Sequence, residues 1–236
     1  MKGEPDAAFA VHVLLRRDQA EFHPPASGCL VGLQGDDLAL ELVGKSFDLY
    51  PGVEGIKPDA AAAKKLFEEA KAEGFSGTVR LACTNSPDRQ ALAQIVDTQL
   101  KAAGVNPQVR SDIDVTTQIG EIITKKDFDL GCWGVTLPND DTAILGLIQN
   151  FWSGSPTNRI GYNNPEWDKA MNDGLAAKDD AAKKAAYKTM SEIWNKDVPS
   201  IIFETVVERV AWQNKVHGVV MNESSMYFLD KVWIEK

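Results

Sequence analysis

Trp133, Thr136, Asn139, Asp140 and Asp141 stand together in the run DFDLGCWGVTLPNDD, residues 127–141. A large aromatic face beside a few hydroxyl, amide and carboxylate groups is the lining of a small-molecule cleft. A second run, FWSGSPTNRIGYNNPEWD at 151–168, adds Trp152, Arg159 and Tyr162. A third, TNSPDR at 84–89, adds Asn85, Ser86, Asp88 and Arg89. Arg89 and Arg159 can each hold a carboxylate through a bidentate pair. The ordinary alternative for either is a surface salt bridge, which contributes little. Among the six tryptophans, Trp194 and Trp167 read as packing, and Trp133 and Trp152 as cleft walls.

Other chemistries fit these residues less well. A phosphate cradle needs a glycine-rich turn into a helix N-terminus. TNSPDR has no glycine. A phosphoacceptor receiver domain needs acidic residues after its first strand and an Asp ending the third. Cys83-Thr84-Asn85 and Trp133-Gly134 occupy those places. Asp140-Asp141 is a candidate catalytic or metal pair, but adjacent acids before a helix ordinarily cap it and complement its dipole. His12, His23 and His217 are scattered, without metal-ligand spacing. No nucleophile-elbow pattern is present. None of these patterns calls for a cofactor or a metal.

The elements that must position these loops are clearest from Pro58 onward. Asp59 reads as an N-cap for an alanine-rich helix over 60–73, stopped by Gly74. Thr78–Thr84 (TVRLACT) reads as a strand. Ser86-Pro87 opens a helix whose stripe is Leu92, Ile95, Val96, Gln99, Leu100 and Ala103, ended by Gly104. A strand follows over 107–113, and then a helix over 115–126 with Ile119, Ile122 and Ile123 as its buried edge. The third strand is 128–135, and its near-continuous apolar character suits burial on both faces. Two strand–helix–strand units imply a parallel sheet with right-handed crossovers. Helices are expected at 142–150, 165–177 and 181–196, the last burying Ala185, Met190, Ile193 and Trp194. Residues 200–213, 216–220 and 231–234 read as strand pieces. Residues 1–57 are the least readable, apart from an apolar run at 9–15 and a short helix expected over 36–43.

This topology fixes where a site belongs. Ligands of open parallel sheets bind beyond the carboxyl ends of the strands, where strand order reverses. With the order 2-1-3, the loops after Thr84 and Val135 converge, and the loop from 151 to 164 lies beside them.

The totals narrow the class. The chain has 236 residues and a net charge of -9, from 34 acidic against 25 basic residues. Nucleic-acid binding would need a basic face instead. Three cysteines without CxxC spacing do not make a disulfide framework for the whole chain. Cys83 and Cys132 read as small buried hydrophobes. No segment reaches the ~18 apolar residues of a membrane helix. The first residues have a short apolar run preceded by acids, unlike a signal peptide. The sequence as it stands is expected not to be exported unaided.

In order along 58–236, five segments carry a resemblance: Asp59–Leu66 (DAAAAKKL), Leu92–Val105 (LAQIVDTQLKAAGV), Asp127–Gly134 (DFDLGCWG), Gly161–Asp168 (GYNNPEWD) and Tyr187–Pro199. Val216–Val219 (VHGV) and Val232–Glu235 (VWIE) complete it. In this order and spacing they resemble the C-terminal part of the oligopeptide, dipeptide and nickel-type solute-binding proteins of ABC transporters. The resemblance implies an α/β fold: an open, mainly parallel sheet with helices on both faces, a single periplasmic-binding-protein-like lobe. It implies a peptide-like or other small solute held between two lobes, permease and ATPase partners, an extracytoplasmic setting, and no catalysis. On this reading 58–199 is the ligand-binding lobe, and 200–236 is a strand-rich tail returning to a first lobe. Residues 1–57 are then expected to be a remnant of the inter-lobe region. The expected ligand-facing residues are Asn85, Arg89, Trp133, Thr136, Asn139, Trp152, Arg159 and Tyr162. Peptide-binding members often carry an aspartate where Thr136 stands, so free peptide amines fit less well here. A lone lobe is expected to bind weakly or not at all, and to self-associate through its open cleft or tail. The rival readings are a small α/β hydrolase using Asp140 or Asp141, and a regulatory or scaffold remnant.

Overall fold

The computed structural model describes residues 8–15, 41–45, 47–137, 142–207, 211–221 and 227–235. For 8–15, 136, 203–207 and 221 only the backbone is described. Asn139, Asp140 and Asp141 lie outside the described residues, as does most of the helix expected over 36–43. Residues 41–43 form a bend.

Strand β1 (Ala8–Leu15) comes first, followed by helix α1 (Ala60–Ala72), β2 (Thr78–Thr84), α2 (Pro87–Ala102) and β3 (Asn106–Ile113). Asp59 caps α1 by accepting the Ala62 N–H at 2.8 Å. Gly74 and Gly104 close α1 and α2 at φ +110° and +84°, conformations that only glycine adopts cheaply. α3 (Val115–Ile119) then gives way to a π-helical segment, Gly120–Lys125. The wider turn changes which residues face inward. Gln118, Glu121 and Ile122 are buried, whereas Ile119 and Ile123 are exposed, contrary to the regular helical stripe. Ile95 of α2 is likewise exposed.

β4 (Leu130–Thr136) leads to α4 (Ala143–Phe151), α5 (Pro165–Ala176), α6 (Asp180–Asp197) and β5 (Ser200–Val207). Asn164 caps α5 through the N–H groups of Glu166 and Trp167. Asp179 caps α6. α6 buries Ala186, Tyr187, Met190, Ile193 and Trp194. Ala185, expected inside, faces solvent one position off that stripe.

One sheet holds five strands in the order β3-β2-β4-β1-β5. β2 is parallel to β3 and β4, giving the expected 2-1-3 arrangement. β1 is antiparallel to both β4 and β5, so the other four strands share one direction. The apolar run at 9–15 therefore enters the middle of the sheet. β5 belongs to this sheet too, although the chain from 200 onward reads as a tail.

Apolar side chains alternate between the faces, as strand geometry requires. Val79, Leu81 and Cys83 of β2 pack with Leu130 and Cys132 under Phe67 of α1 and Leu92, Val96 and Leu100 of α2. Ala82 of β2 turns to the opposite core, where Ile122, Leu147, Phe151, Trp167, Met190 and Trp194 meet. Phe151 and Trp194 lie edge to face there at 4.9 Å, a favoured aromatic geometry. Helices thus cover both faces.

Cys83 and Cys132 are buried as expected, but they are also joined in a disulfide. The pairing of Leu81 with Leu130 and Ala82 with Gly131 carries the two cysteines abreast. Their Cα atoms are 4.9 Å apart, within the range a disulfide spans. Parallel register, which cysteine spacing does not encode, brings together residues 49 positions apart.

After β5 the described chain forms only two small pairs. β6 (Val216–His217) pairs with β9 (Trp233–Ile234), and β7 (Val220–Met221) with β8 (Tyr227–Phe228). Among the described residues, no helix is long and apolar enough to cross a membrane.

Candidate functional site

β2 and β4 stay in register only through Ala82 and Gly131. Beyond that point Gln118 of α3 reaches the sheet. Its side-chain amide donates to the carbonyls of Cys132, at 2.8 Å, and Ala82, at 3.3 Å. Buried carbonyls require partners, and Gln118 supplies them where the two strands part. The parting is the reversal point of the sheet, where a crevice is expected.

Trp133 is the first β4 residue past Cys132. It is half-buried and packs against the larger core. Arg159, from the loop between α4 and α5, places its guanidinium 4.7 Å from the centroid of the Trp133 ring. A cation over an indole face is attracted by the ring quadrupole. Arg159 Nη1 donates to Asn150 Oδ1 at 2.8 Å and to the Thr157 carbonyl at 3.2 Å. Arg159 Nε is buried with no hydrogen-bond partner. Burial lowers the Arg159 pKa from its ordinary value.

The loop presenting Arg159 is tied down from within. Ser155 Oγ and Thr157 Oγ1 both donate to the Gln149 carbonyl at the end of α4. Asn158 Nδ2 donates to the carbonyls of Trp152 and Tyr162, and Ser153 N–H donates to Asp168 of α5. These bonds fix the loop before any ligand arrives, which lowers the ordering cost of binding.

The other expected site residues divide. Asn85 is exposed at the end of β2, its N–H donating to the Ile113 carbonyl at 2.9 Å. Arg89 is largely covered, with Nε 3.6 Å from Asp88 Oδ2. Asp88 is held below its ordinary pKa chiefly by a hydrogen bond from Ser86. Trp152 is exposed and its ring lies over Gly154. The backbone of Thr136 ends β4 opposite Phe9. Tyr162 lies within the larger core. It is 1% exposed, packs on Trp167, and donates its hydroxyl to Asp197 Oδ2 at 2.7 Å. Asn164 Nδ2 donates to the same carboxylate oxygen. Asn150, which orients Arg159, has no sequence signal beyond its place in the last turn of α4.

Trp133 and Arg159 are thus brought together at the reversal point, and Asn150 and Thr157 hold the pair. Among the described residues, no three His, Cys, Asp or Glu side chains cluster as metal ligands. A planar cation on an aromatic wall, beside neutral polar groups, is equipped for binding and orienting.

A family model of the bacterial extracellular solute-binding proteins, family 5 (middle region), matches residues 34–159, more than half of the chain. The oligopeptide-binding protein AppA of Bacillus subtilis, solved with a nonapeptide, superposes with TM-score 0.74 at 17% identity, over 98% of this chain and 51% of that one. Haemophilus influenzae OppA, solved with the peptide RPPGFSPFR, gives TM-score 0.74 at 20% identity, over 98% and 49%. The chain therefore spans about half the length of these two proteins. A third structure, described as the peptide-binding protein of a peptide ABC transporter, gives TM-score 0.63 at 20% identity, over 83% of this chain and 98% of that one. A search of curated proteins finds no match. The sheet, with its helices on both faces, is the fold these structures share, and the family match extends from residue 34 to Arg159. The chain belongs to the bacterial extracellular solute-binding proteins of family 5.

Proposed function

We propose that this chain is the ligand-binding lobe of an ABC importer's solute-binding protein, and that it holds a peptide-like or other small solute without catalysis. The observation carrying this reading is the Trp133–Arg159 pair at the point where β2 and β4 part. Family membership supports it, because the family and its structural neighbours are binding proteins. The solute would lie between this lobe and a second one, and closure would be a hinge motion. Permease and ATPase subunits are the corresponding partners, in an extracytoplasmic setting. The ligand-facing set is Asn85, Arg89, Trp133, Thr136, Asn139, Trp152 and Arg159. The lobe would take in β1 together with 58–207, since β1 joins β5 to the rest of the sheet. The chain from 211 onward, which pairs only with itself among the described residues, would be the part that returns toward the second lobe.

One lobe offers half of the contacts. Titration calorimetry of this chain with short peptides is therefore expected to give affinities weaker than about 1 μM, equivalent to about -8 kcal/mol. Trp133→Ala is expected to abolish the residual heat. Sub-micromolar binding by the chain alone, or unchanged binding by Trp133→Ala, would sink the proposal.

A further inference from the structure

We infer that the pocket between β2, β3 and the π-helical segment is a second binding site, separate from the proposed solute cleft, for a small organic cation with a short apolar body. The pocket has a volume of about 290 Å³, close to the lower end of the range that small-molecule sites occupy. Ala82, Val109 and Phe128 line its apolar part, and Arg80, Gln108, Arg110, Glu121 and Asp127 supply its polar groups. It lies on the side of Ala82 toward the start of β2, whereas β2 and β4 part beyond Ala82. None of the described residues expected to face the solute lines it.

Glu121 carries the inference. Its side chain is 9% exposed, and charged groups are rarely so buried unless they are fully paired. Oε1 accepts from Arg110 Nη1, and the Arg110 side chain is itself 54% exposed. Oε2 has no partner among the described residues. The π-helical turn holds this carboxylate inside while Ile119 and Ile123, two positions to either side, are 41% and 42% exposed. That exchange destabilises twice, through apolar surface left in water and a carboxylate taken out of it. Single π-helical turns within helices are frequent at functional sites. A half-satisfied carboxylate beside a pocket is completed by a ligand donor, and a charged donor does so most strongly. Charge balance points the same way. Asp129 accepts from Arg80 Nε and Nη2 at 3.1 and 2.9 Å, and Asp127 accepts from Nη1. Among the lining residues and their ion-pair partners, Glu121, Asp127 and Asp129 thus face only Arg80 and Arg110. The excess carboxylate attracts a cation and repels an anion.

The test uses the full ¹⁵N-labelled chain at pH 7 and three probes of one length, hexylammonium, hexanol and hexanoate, each titrated to millimolar concentration. Backbone N–H signals of residues 108–110 and 120–122 report on the pocket, and the Trp133 indole N–H reports on the cleft. Hexylammonium is expected to shift the first set, to leave the indole signal in place, and to bind at least about tenfold tighter than hexanol. Glu121→Gln keeps an acceptor for Arg110 and removes the charge. In it that preference is expected to fall about tenfold, with affinity for hexanol unchanged. In Asp127→Asn, at the exposed rim, the preference is expected to fall about threefold. An unchanged preference in Glu121→Gln overturns the proposal, and if that variant does not fold, Asp127→Asn decides in its place. Equal binding of hexylammonium and hexanol overturns the cationic class. Tighter binding of hexanoate overturns it as well, because the arginines then govern the pocket. Shifts confined to the Trp133 indole place the probe in the cleft and overturn the second site, as does the absence of any shift with all three probes. None of these outcomes touches the solute-binding reading, which the peptide titration tests.

Discussion

Gln118 and Arg159 are polar side chains folded inward for opposite ends. Gln118 is 5% exposed, and its amide is spent on two main-chain carbonyls, Ala82 and Cys132, at the point where their strands part. Nothing of its donor capacity remains for a ligand, so its contribution is to stability. Arg159 lies over the Trp133 ring at the proposed cleft, and so is the better candidate for recognition. The structural role of Gln118 has a measurable size. Gln118→Leu keeps a comparable volume but leaves two buried acceptors unmatched, at roughly 1–3 kcal/mol each before relaxation. Urea unfolding is expected to show a loss of about 2 kcal/mol, with an unchanged denaturant slope. A midpoint equal to that of the parent protein would mean that water replaces the amide, and that the crevice is wetter than its packing implies.

At the scale of elements, the Cys83–Cys132 bond joins β2 to β4 just where Gln118 begins to separate them. Closing a loop of 49 residues restricts the unfolded chain by up to about 4 kcal/mol in the loop-entropy treatment. A reductant, or the double change Cys83→Ala with Cys132→Ala, is expected to lower stability toward urea by up to about 4 kcal/mol. An unfolding curve indifferent to both would show that the bond adds nothing to the sheet. This bond also marks where sequence reasoning ran out. β2 and the starts of α1 and α5 were legible because their determinants are local: alternation in TVRLACT, and the capping side chains of Asp59 and Asn164. The strand–helix–strand units imply that β2, β3 and β4 run parallel, whereas their 2-1-3 order is an assumption that the structure meets. The central place of β1 was not legible, because its pairing with β4 and β5 spans more than a hundred residues and leaves no local mark. The π-helical turn misled the stripe of α3 for a related reason, since a regular period was assumed where the backbone widens. Trp133 and Arg159 stand out in the sequence by residue type, and the structure stacks one on the other. The burial of Tyr162 was not legible, because its partner Asp197 lies 35 residues away, at the end of α6.

For the whole molecule, the segment after β5 sets the behaviour in solution. Its two strand pairs are each two residues long, and isolated two-stranded ribbons are at best marginally stable in water. The segment also exposes large apolar side chains: Trp212, Phe228, Leu229, Trp233 and Ile234 are all between 46% and 63% accessible. Soluble monomers rarely leave such groups together in solvent. Covering them needs a second protein surface, which in the proposed assembly is the other lobe. A second copy of the chain can substitute when that lobe is missing. Light scattering of the purified chain is therefore expected to show self-association that grows with concentration. Replacing Phe228 and Trp233 together by Ser is expected to return it to a monomer. The unfolding midpoint measured at low concentration should barely move, because neither side chain is buried in the lobe. A parent chain that stays monomeric at every concentration would show that these residues need no cover, and the tail would then have to be stable by itself.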